Sequence, residues 1–142
     1  MDRRKARQEA FCILFEYFFN EDVTVADIIA REAEERDLKA DEYITEVTQG
    51  AAENKDKLDE MIKPYLKGWK MERLSRVSLC ILRLAVYEIV YMDDIPVNAS
   101  VNEAVELAKA YDTDNAPSFI NGTLRAFIRD LEEQYKDFGC DK

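Results

Sequence analysis

The chain contains no histidine, and only four glycines, three prolines and three cysteines among its 142 residues. The absence of histidine removes the commonest general base, the usual partner of a nucleophilic Ser or Cys, and the commonest metal ligand. The sequence also contains no glycine-rich phosphate-binding loop of a standard form. Its thirty acidic residues are scattered, as expected of a solvated surface. We therefore predict that the chain is not an enzyme and that it holds neither a cofactor nor a metal.

Cysteine usage and the lack of a long apolar run both favour a cytoplasmic protein. Cys12, Cys80 and Cys140 are far apart and form no C-x-x-C pair, which is typical of reduced thiols rather than of disulfides or a metal site. The longest apolar run, residues 77–92, contains charged residues and is too short to span a bilayer. No apolar stretch typical of a signal peptide follows the N-terminus. A membrane is therefore not an expected partner.

The low glycine and proline content, together with 47% hydrophobic residues, favours helices over a many-stranded β fold. The length suits one domain with a sizeable core, so we predict a single domain over residues 1–142. Apolar residues at helical spacing predict helices at residues 3–19, 25–36, 74–91 and 117–136, with further helical segments between residues 41 and 64. Whether residues 41–64 form one helix or two stays open, because Gly50 and a charged run interrupt the pattern. Residues 137–142 show no pattern and are predicted to fray.

The central predicted helix, residues 74–91, is apolar on nearly all sides, so neighbouring helices should surround most of it. Glu88 falls on the side of its core residues. A buried carboxylate must be paired or hydrogen-bonded, so we predict a structural partner for Glu88. Arg76, Arg83 and Tyr87 share a narrower face. That face is either ordinary surface or a docking patch, since Arg and Tyr are enriched where partners anchor.

The sequence after the central helix predicts two further helix starts. Ser100 and Glu103 stand in the S-x-x-E arrangement of a capping box, which predicts that a helix begins at Ser100. The last helix begins near Pro117, and Phe119 lies about 100° away from its core stripe. Phe119 either stacks a nucleotide base at this helix N-terminus or packs against the core, and the two readings are equally supported. Gly122 predicts the close approach of another helix.

Four of the twenty basic residues lie at the start of the first predicted helix, although the whole chain carries a net charge of −10. They are Arg3, Arg4, Lys5 and Arg7. Cations at a helix N-terminus oppose the macrodipole by roughly 0.3–1 kcal/mol per charge, so we predict that this turn overhangs the core and binds an anion. The alternative is a solvated basic tail. The prediction requires that carboxylates of the chain itself do not occupy these cations.

Five short segments occur in one order along the chain. Residues 3–7 are rich in arginine, residues 63–66 are KPYL, residues 81–88 are ILRLAVYE, residues 95–96 are Ile-Pro, and residues 100–124 contain SVNEAVELAKAY and PSFINGTL. In this order and at this spacing they resemble the NusB family of bacterial transcription antitermination factors. Two departures from the family pattern are Ser118, where the family often has Lys, and the Thr-Leu-Arg-Ala of residues 123–126, where it has V-L-D-x.

The resemblance implies an all-α fold, a compact bundle of about seven helices in two sub-bundles. It also implies an RNA-binding antitermination factor that pairs with the ribosomal protein NusE, binds boxA RNA in nascent ribosomal RNA transcripts and joins the RNA polymerase antitermination complex. The RNA-binding residues that it implies are Arg3, Arg4, Lys5, Arg7, Phe119 and Asn121. Docking of NusE around the central helix makes Arg83 and Tyr87 the partner-binding candidates. Two alternatives are a helical protein–protein adaptor without RNA binding and a homodimer whose RNA surface is occluded.

Overall fold

The structure is a computed structural model that describes residues 1–20 and 22–137, with side chains described as far as residue 133. This part of the chain contains seven α-helices and no strand. The helices are α1 (Arg3–Phe18), α2 (Val25–Arg36), α3 (Glu42–Glu53), α4 (Lys55–Ile62), α5 (Arg76–Tyr91), α6 (Val97–Tyr111) and α7 (Ala116–Asp137). Two short 3-10 turns, Lys63–Tyr65 and Met71–Arg73, lie between α4 and α5. The predicted all-α class is confirmed.

Side-chain caps account for the beginnings of the first three helices. The Asp2 carboxylate accepts a hydrogen bond of 2.8 Å from the Lys5 backbone N–H at the start of α1. Thr24 begins α2 with a reciprocal capping box, in which its hydroxyl and the Asp27 carboxylate each accept a backbone N–H. Asp41 caps α3 in the same way as Asp2 caps α1. Each cap satisfies a donor that has no partner inside the helix, which is why the predicted and observed boundaries agree closely here.

The region between residues 41 and 64 forms two helices separated by a single residue. Asn54 ends α3 and precedes α4, and its side chain donates to the Gly50 carbonyl at 2.8 Å. The α-helix ends at Ile62, two residues before Pro64, and continues as a 3-10 turn. Pro64 has no backbone N–H to donate to the Glu60 carbonyl, which explains this end.

Helix α5 is the centre of the bundle, and every residue from 80 to 89 is buried. It packs against α1, α3, α4, α6 and α7. Helices α1, α2 and α3 contact one another on one side of it, and α6 and α7 form a pair on the other. The expected arrangement in two sub-bundles is therefore confirmed, with α5 as the element that both share. None of the described helices is long and apolar enough to cross a membrane.

Helix α6 begins at Val97, three residues before the predicted start, so the capping-box prediction for Ser100 and Glu103 is wrong. Pro96 precedes the first helical residue, and its carbonyl accepts the Ser100 backbone N–H at 3.2 Å. The Ser100 side chain is buried and donates instead to the Glu88 carboxylate. Because Ser100 lies inside α6 and not at its start, its hydroxyl does not cap the helix and contributes to a tertiary contact with α5.

The start of the last helix and the state of two cysteines can be compared with the sequence predictions. Helix α7 begins at Ala116, one residue before the predicted start, and runs to Asp137. The predicted fraying of residues 137–142 falls almost entirely on residues outside the described part of the chain. Cys12 and Cys80 are free thiols, whereas Cys140 lies outside the described residues.

The close helix approach predicted at Gly122 occurs at Gly50 instead. Gly122 in α7 was expected to admit a neighbouring helix, but a Cβ at this position would meet only the Lys67 ammonium nitrogen, at an ordinary 3.6 Å. Gly50 in α3 is the position of close approach, because a Cβ there would overlap the ring and hydroxyl of Tyr87 from α5. The α3–α5 packing thus requires a glycine at position 50.

We predict that Gly50→Ala destabilises the protein by about 1–3 kcal/mol, because the buried Tyr87 ring must move to admit the methyl group. Gly122→Ala is the matched control, and it should stabilise the protein by up to about 1 kcal/mol through the higher helix propensity of alanine. Urea unfolding monitored by circular dichroism measures both changes. Equal effects of the two substitutions would contradict the assigned roles.

Candidate nucleic-acid interface

A buried ion pair between Arg7 and Glu88 lies beneath the N-terminal turn of α1. The Arg7 Nε and Nη2 atoms donate to the two Glu88 oxygens at 2.8 and 2.9 Å, and the two residues are 4% and 1% exposed. The Tyr43 hydroxyl donates to Glu88 Oε2, and the Ser100 hydroxyl donates to Glu88 Oε1 at 2.8 Å. The predicted partner of Glu88 is confirmed. One carboxylate therefore joins α1, α3, α5 and α6.

The burial of Arg7 differs from the expectation that it overhangs the rim of the core. Arg7 lies on the same side of α1 as the buried residues Ala10 and Leu14, so its side chain enters the bundle, where Glu88 compensates its charge. A charged group excluded from water requires such a partner. The sequence pattern indicates a buried carboxylate at Glu88 and a basic turn that includes Arg7, but it does not show that these two residues pair.

Arg3 and Arg7 both contact the ring of Tyr43. The guanidinium carbon of Arg3 lies 4.5 Å from the ring centroid and that of Arg7 lies 5.5 Å from it, which is the range of cation–π attraction. Burial and the adjacent Glu88 carboxylate raise the pKa of Tyr43 far above its ordinary value. The hydroxyl therefore stays protonated and continues to donate to Glu88, while Arg3 remains exposed at the surface.

Arg4 is also paired, but at the surface. Its Nε and Nη2 atoms donate to the Glu103 carboxylate at 2.8 and 2.9 Å, and this hydrogen bonding lowers the pKa of Glu103. The Arg4 side chain is nevertheless 67% exposed, so its remaining edge faces solvent. Glu103 also lies 3.7 Å from Arg7. Lys5 is exposed, and its ammonium forms no ion pair within the part of the chain that the structure describes.

The predicted RNA-binding cations are therefore brought together, but they are not equivalent. Arg3, Arg4 and Lys5 form an exposed basic turn, and we use that name for these three residues. Arg7 supports the turn from below. Two of the four cations, Arg4 and Arg7, are paired with carboxylates of their own chain. The prediction required cations free of such carboxylates, and Arg3 and Lys5 meet this condition, whereas Arg4 meets it only in part.

Phe119 and Asn121 lie near the start of α7. Phe119 is partly buried and packs against the core, as in the second of its two predicted roles, whereas Asn121 is exposed. Helix α6 connects this region with the basic turn, because Glu103 lies beside Arg4 and the helix ends one short connection before α7. The rise of an α-helix places the end of α6 about 12 Å from Glu103.

Arg83 and Tyr87, the partner-binding candidates, are not on the surface. Arg83 is 4% exposed, donates to both oxygens of Asp59 at 2.7 and 3.0 Å, and lies over the Phe18 ring. Tyr87 is 7% exposed and stacks on the ring of Tyr91. The prediction that they share an exposed face is wrong, because α1, α3 and α4 cover this side of α5. A pattern within one helix does not show which faces its neighbours cover.

The structure reveals a row of packed aromatic rings along α1 and its C-cap that was not predicted from the sequence. Phe11, Phe15 and Phe19 follow one another at four-residue spacing with ring centroids 6.0 and 5.3 Å apart. Tyr111, which is 45% exposed, stacks on Phe11 at 5.0 Å, and Arg76 lies over Phe19. We call these five residues the aromatic stripe. The four-residue spacing of the phenylalanines, beside the core positions of α1, was the available signal.

Comparison with known proteins identifies the family. The model of the NusB family matches residues 4–129. The chain belongs to the NusB family. Family relatives include the transcription antitermination protein NusB of Bacillus licheniformis, 44% identical over 135 residues that cover 93% of this chain and all of the relative. The corresponding protein of Bacillus subtilis is 43% identical over 136 residues, with 94% and 99% of the two chains covered.

Solved structures of the family share the fold. T. maritima NusB is 33% identical, with a TM-score of 0.77 over 91% of this chain and 92% of that one. A crystal structure of the antitermination factors NusB and NusE in complex with double-stranded RNA contains a chain that is 26% identical, with a TM-score of 0.79 over 89% of this chain and 96% of the other. The family fold therefore extends over nearly the whole described chain.

We predict that Glu88→Gln lowers the free energy of unfolding by about 3 kcal/mol or more, because it leaves the Arg7 charge buried without a full counter-charge. Glu103→Gln is the matched control: it removes a carboxylate from the exposed Arg4 and should cost less than about 1 kcal/mol. Urea denaturation at neutral pH measures both. A loss below 1 kcal/mol for Glu88→Gln would show that the buried pair does not hold the turn.

Proposed function

We propose that the protein is an RNA-binding transcription antitermination factor. In this proposal it pairs with NusE, binds boxA-type single-stranded RNA in nascent ribosomal RNA transcripts, and helps RNA polymerase to read through terminators. Family membership supports the proposal, as do the relatives named as antitermination proteins and the related structure that contains NusB, NusE and RNA. Such a protein works on transcripts in the cytoplasm, as a binding adaptor and not as an enzyme.

The exposed basic turn is the observation that carries the proposal. Arg3, Arg4 and Lys5 project from one helix start of a chain whose net charge is −10. Phosphate is attracted to this turn and repelled by the acidic parts of the surface, so RNA contact is limited to places where cations are exposed. Two of the three cations have a defined orientation, because Arg3 lies over Tyr43 and Arg4 is held by Glu103.

Arg7, Phe119 and Asn121 complete the proposed RNA site with different roles. Arg7 acts by positioning the turn, since its guanidinium is committed to Glu88. Asn121 is exposed and can bond to a base or phosphate, and the partly buried ring of Phe119 offers its accessible part to a base. Aromatic stacking tolerates any base, whereas the asparagine amide can distinguish between them.

We propose that NusE contacts two areas of the surface, the aromatic stripe and the region around Tyr91. The aromatic stripe offers partly exposed apolar area, from the exposed Tyr111 and the half-buried Phe15 and Phe19, with an arginine at one end. Aromatic residues and arginine are enriched at protein interfaces. Arg83 and Tyr87 contribute indirectly: Arg83 supports Phe18 next to the stripe, and Tyr87 supports Tyr91, which is 40% exposed. Contact with NusE then adds to the area that the RNA binds.

The alternative is a helical adaptor that binds proteins but not RNA. The carboxylates bound to Arg4 and Arg7 favour it, because an ion pair within the chain reduces the charge available to phosphate. The two functions can be told apart by replacing the cations of the basic turn with neutral residues. This weakens RNA binding if the protein is an RNA-binding factor and changes nothing if it is only a protein adaptor.

We predict that the triple variant Arg3→Gln, Arg4→Gln, Lys5→Gln binds boxA RNA about tenfold or more weakly at low salt. The slope of log affinity against log salt should fall in magnitude by about 2, since each phosphate contact contributes about 0.7 on single-stranded RNA. Fluorescence anisotropy of labelled RNA measures both quantities, with single-stranded and double-stranded forms compared.

The matched control for this test is the triple variant Lys39→Gln, Lys57→Gln, Arg129→Gln, which removes three exposed cations elsewhere. It changes the net charge equally and should keep most of the affinity. If both triple variants lose the same affinity, the attraction is a general charge effect; if neither loses any, the adaptor alternative is favoured.

We also predict that NusE tightens RNA binding. About three phosphate contacts give a salt slope near −2 for the protein alone, which is weak binding at physiological salt. A second protein joined to the first supplies further contacts to the same RNA molecule. Anisotropy titrations with and without NusE measure the difference, and equal affinities at physiological salt would contradict the prediction.

A further inference from the structure

We propose that the segment of residues 67–73, between α4 and α5, is a second contact surface for single-stranded RNA, with Trp69 as its stacking platform. We call it the Trp69 segment. This inference rests on the proposed RNA-binding function and extends it to nucleotides that the basic turn does not reach. It follows from the exposure of the tryptophan, the charge around it and its place beside α7.

Trp69 is 60% exposed although it is the largest apolar side chain of its segment. The residues around it are anchored: Leu66 is 2% exposed, and Met71 and Leu74 pack against the core. The residues before and after Trp69 therefore pack in the core, whereas the Trp69 side chain faces solvent. A single exposed apolar side chain is common on protein surfaces, so Trp69 points to a partner only together with the exposed cations that flank it in the chain.

The backbone turns at this point in a defined way. Lys67 and Gly68 have φ angles of 51° and 85°, so two consecutive residues are left-handed. The Trp69 backbone N–H then donates to the Leu66 carbonyl at 3.0 Å. A lysine rarely adopts this conformation, and such strained residues cluster at binding sites.

The positive charge of the segment favours RNA, which is negatively charged, over a basic protein as its partner. Lys67, Lys70 and Arg73 are exposed, and none of them forms an ion pair within the described residues. Glu72 is the one carboxylate of the segment. Three cations around one exposed indole form the combination that binds single strands, in which cations contact the backbone and the aromatic ring stacks a base.

The Trp69 segment lies next to the proposed RNA site on α7. The Lys67 ammonium nitrogen lies 3.6 Å from the position that a Cβ on Gly122 would occupy, and Gly122 follows the exposed Asn121. At the other end of the connection, the Ser75 hydroxyl bonds to Asp112 at the end of α6. A strand of RNA bound at Asn121 therefore has cations and a stacking surface within reach.

Trp69 is the single tryptophan of the chain, so its fluorescence reports on this surface without any substitution. The protein alone, at low salt, is titrated with boxA RNA extended on both sides by unstructured nucleotides, and binding is followed in parallel by anisotropy. We expect the tryptophan fluorescence to be quenched over the same concentration range as the anisotropy rises. Binding seen by anisotropy without a change in Trp69 fluorescence overturns the inference and leaves the proposed function intact.

Substitutions test the energetic contribution. Trp69→Leu should weaken binding of the extended RNA roughly 5- to 150-fold, the range for one stacked base, whereas Trp69→Phe should retain most of the affinity. Lys70→Gln should weaken binding and reduce the salt slope, while Lys57→Gln, an exposed lysine of α4, is the matched control without effect. Equal affinities for all four variants overturn the inference.

Two further outcomes have a definite meaning. Quenching by polyglutamate but not by RNA assigns the segment to an acidic protein and overturns the RNA assignment. If anisotropy detects no RNA binding even with NusE present, the proposed function fails and the inference fails with it. Circular dichroism of each variant confirms that the exposed substitutions leave the helical fold unchanged.

Discussion

The ion pair between Arg7 and Glu88 is the interaction on which the rest of the structure depends. Two charges removed from water are tolerated only when each compensates the other and their remaining hydrogen-bonding capacity is satisfied. Tyr43 and Ser100 supply the further bonds to Glu88, and they come from α3 and α6. The start of α1 is therefore fixed relative to three other helices, and the exposed cations next to Arg7 are fixed with it.

This arrangement separates the cations of the N-terminal turn by function. Arg7 stabilises the bundle, Arg3 rests on the ring that Glu88 holds, and Arg4 keeps an exposed edge while Glu103 binds the other. In the proposed function, the acidic body limits phosphate binding to the few places where cations are exposed and uncompensated. The small size of the proposed RNA-binding surface thus follows from the charge distribution of the protein as well as from the individual contacts.

Several local elements were predictable because the residues that decide them are close in sequence. The helix predicted at residues 25–36 and the helical segments predicted between residues 41 and 64 agree with the structure, and the caps and breaks that bound them depend on neighbours within four residues. Ser100 shows the limit of such patterns. Its S-x-x-E spacing is a local signal, but α6 begins three residues earlier, at Val97, and the Ser100 hydroxyl donates to a buried carboxylate from another helix.

The sequence alone determined the all-α class, the helical periods, the presence of a cationic N-terminal turn and the need for a partner to Glu88. Tertiary structure alone decided which cation became that partner, and therefore which of the four remain exposed. It also decided that Arg83 and Tyr87 are covered, and that Trp69 is not. The physical reason is that burial depends on how helices far apart in sequence pack together, whereas helix formation depends mainly on residues one or two turns apart.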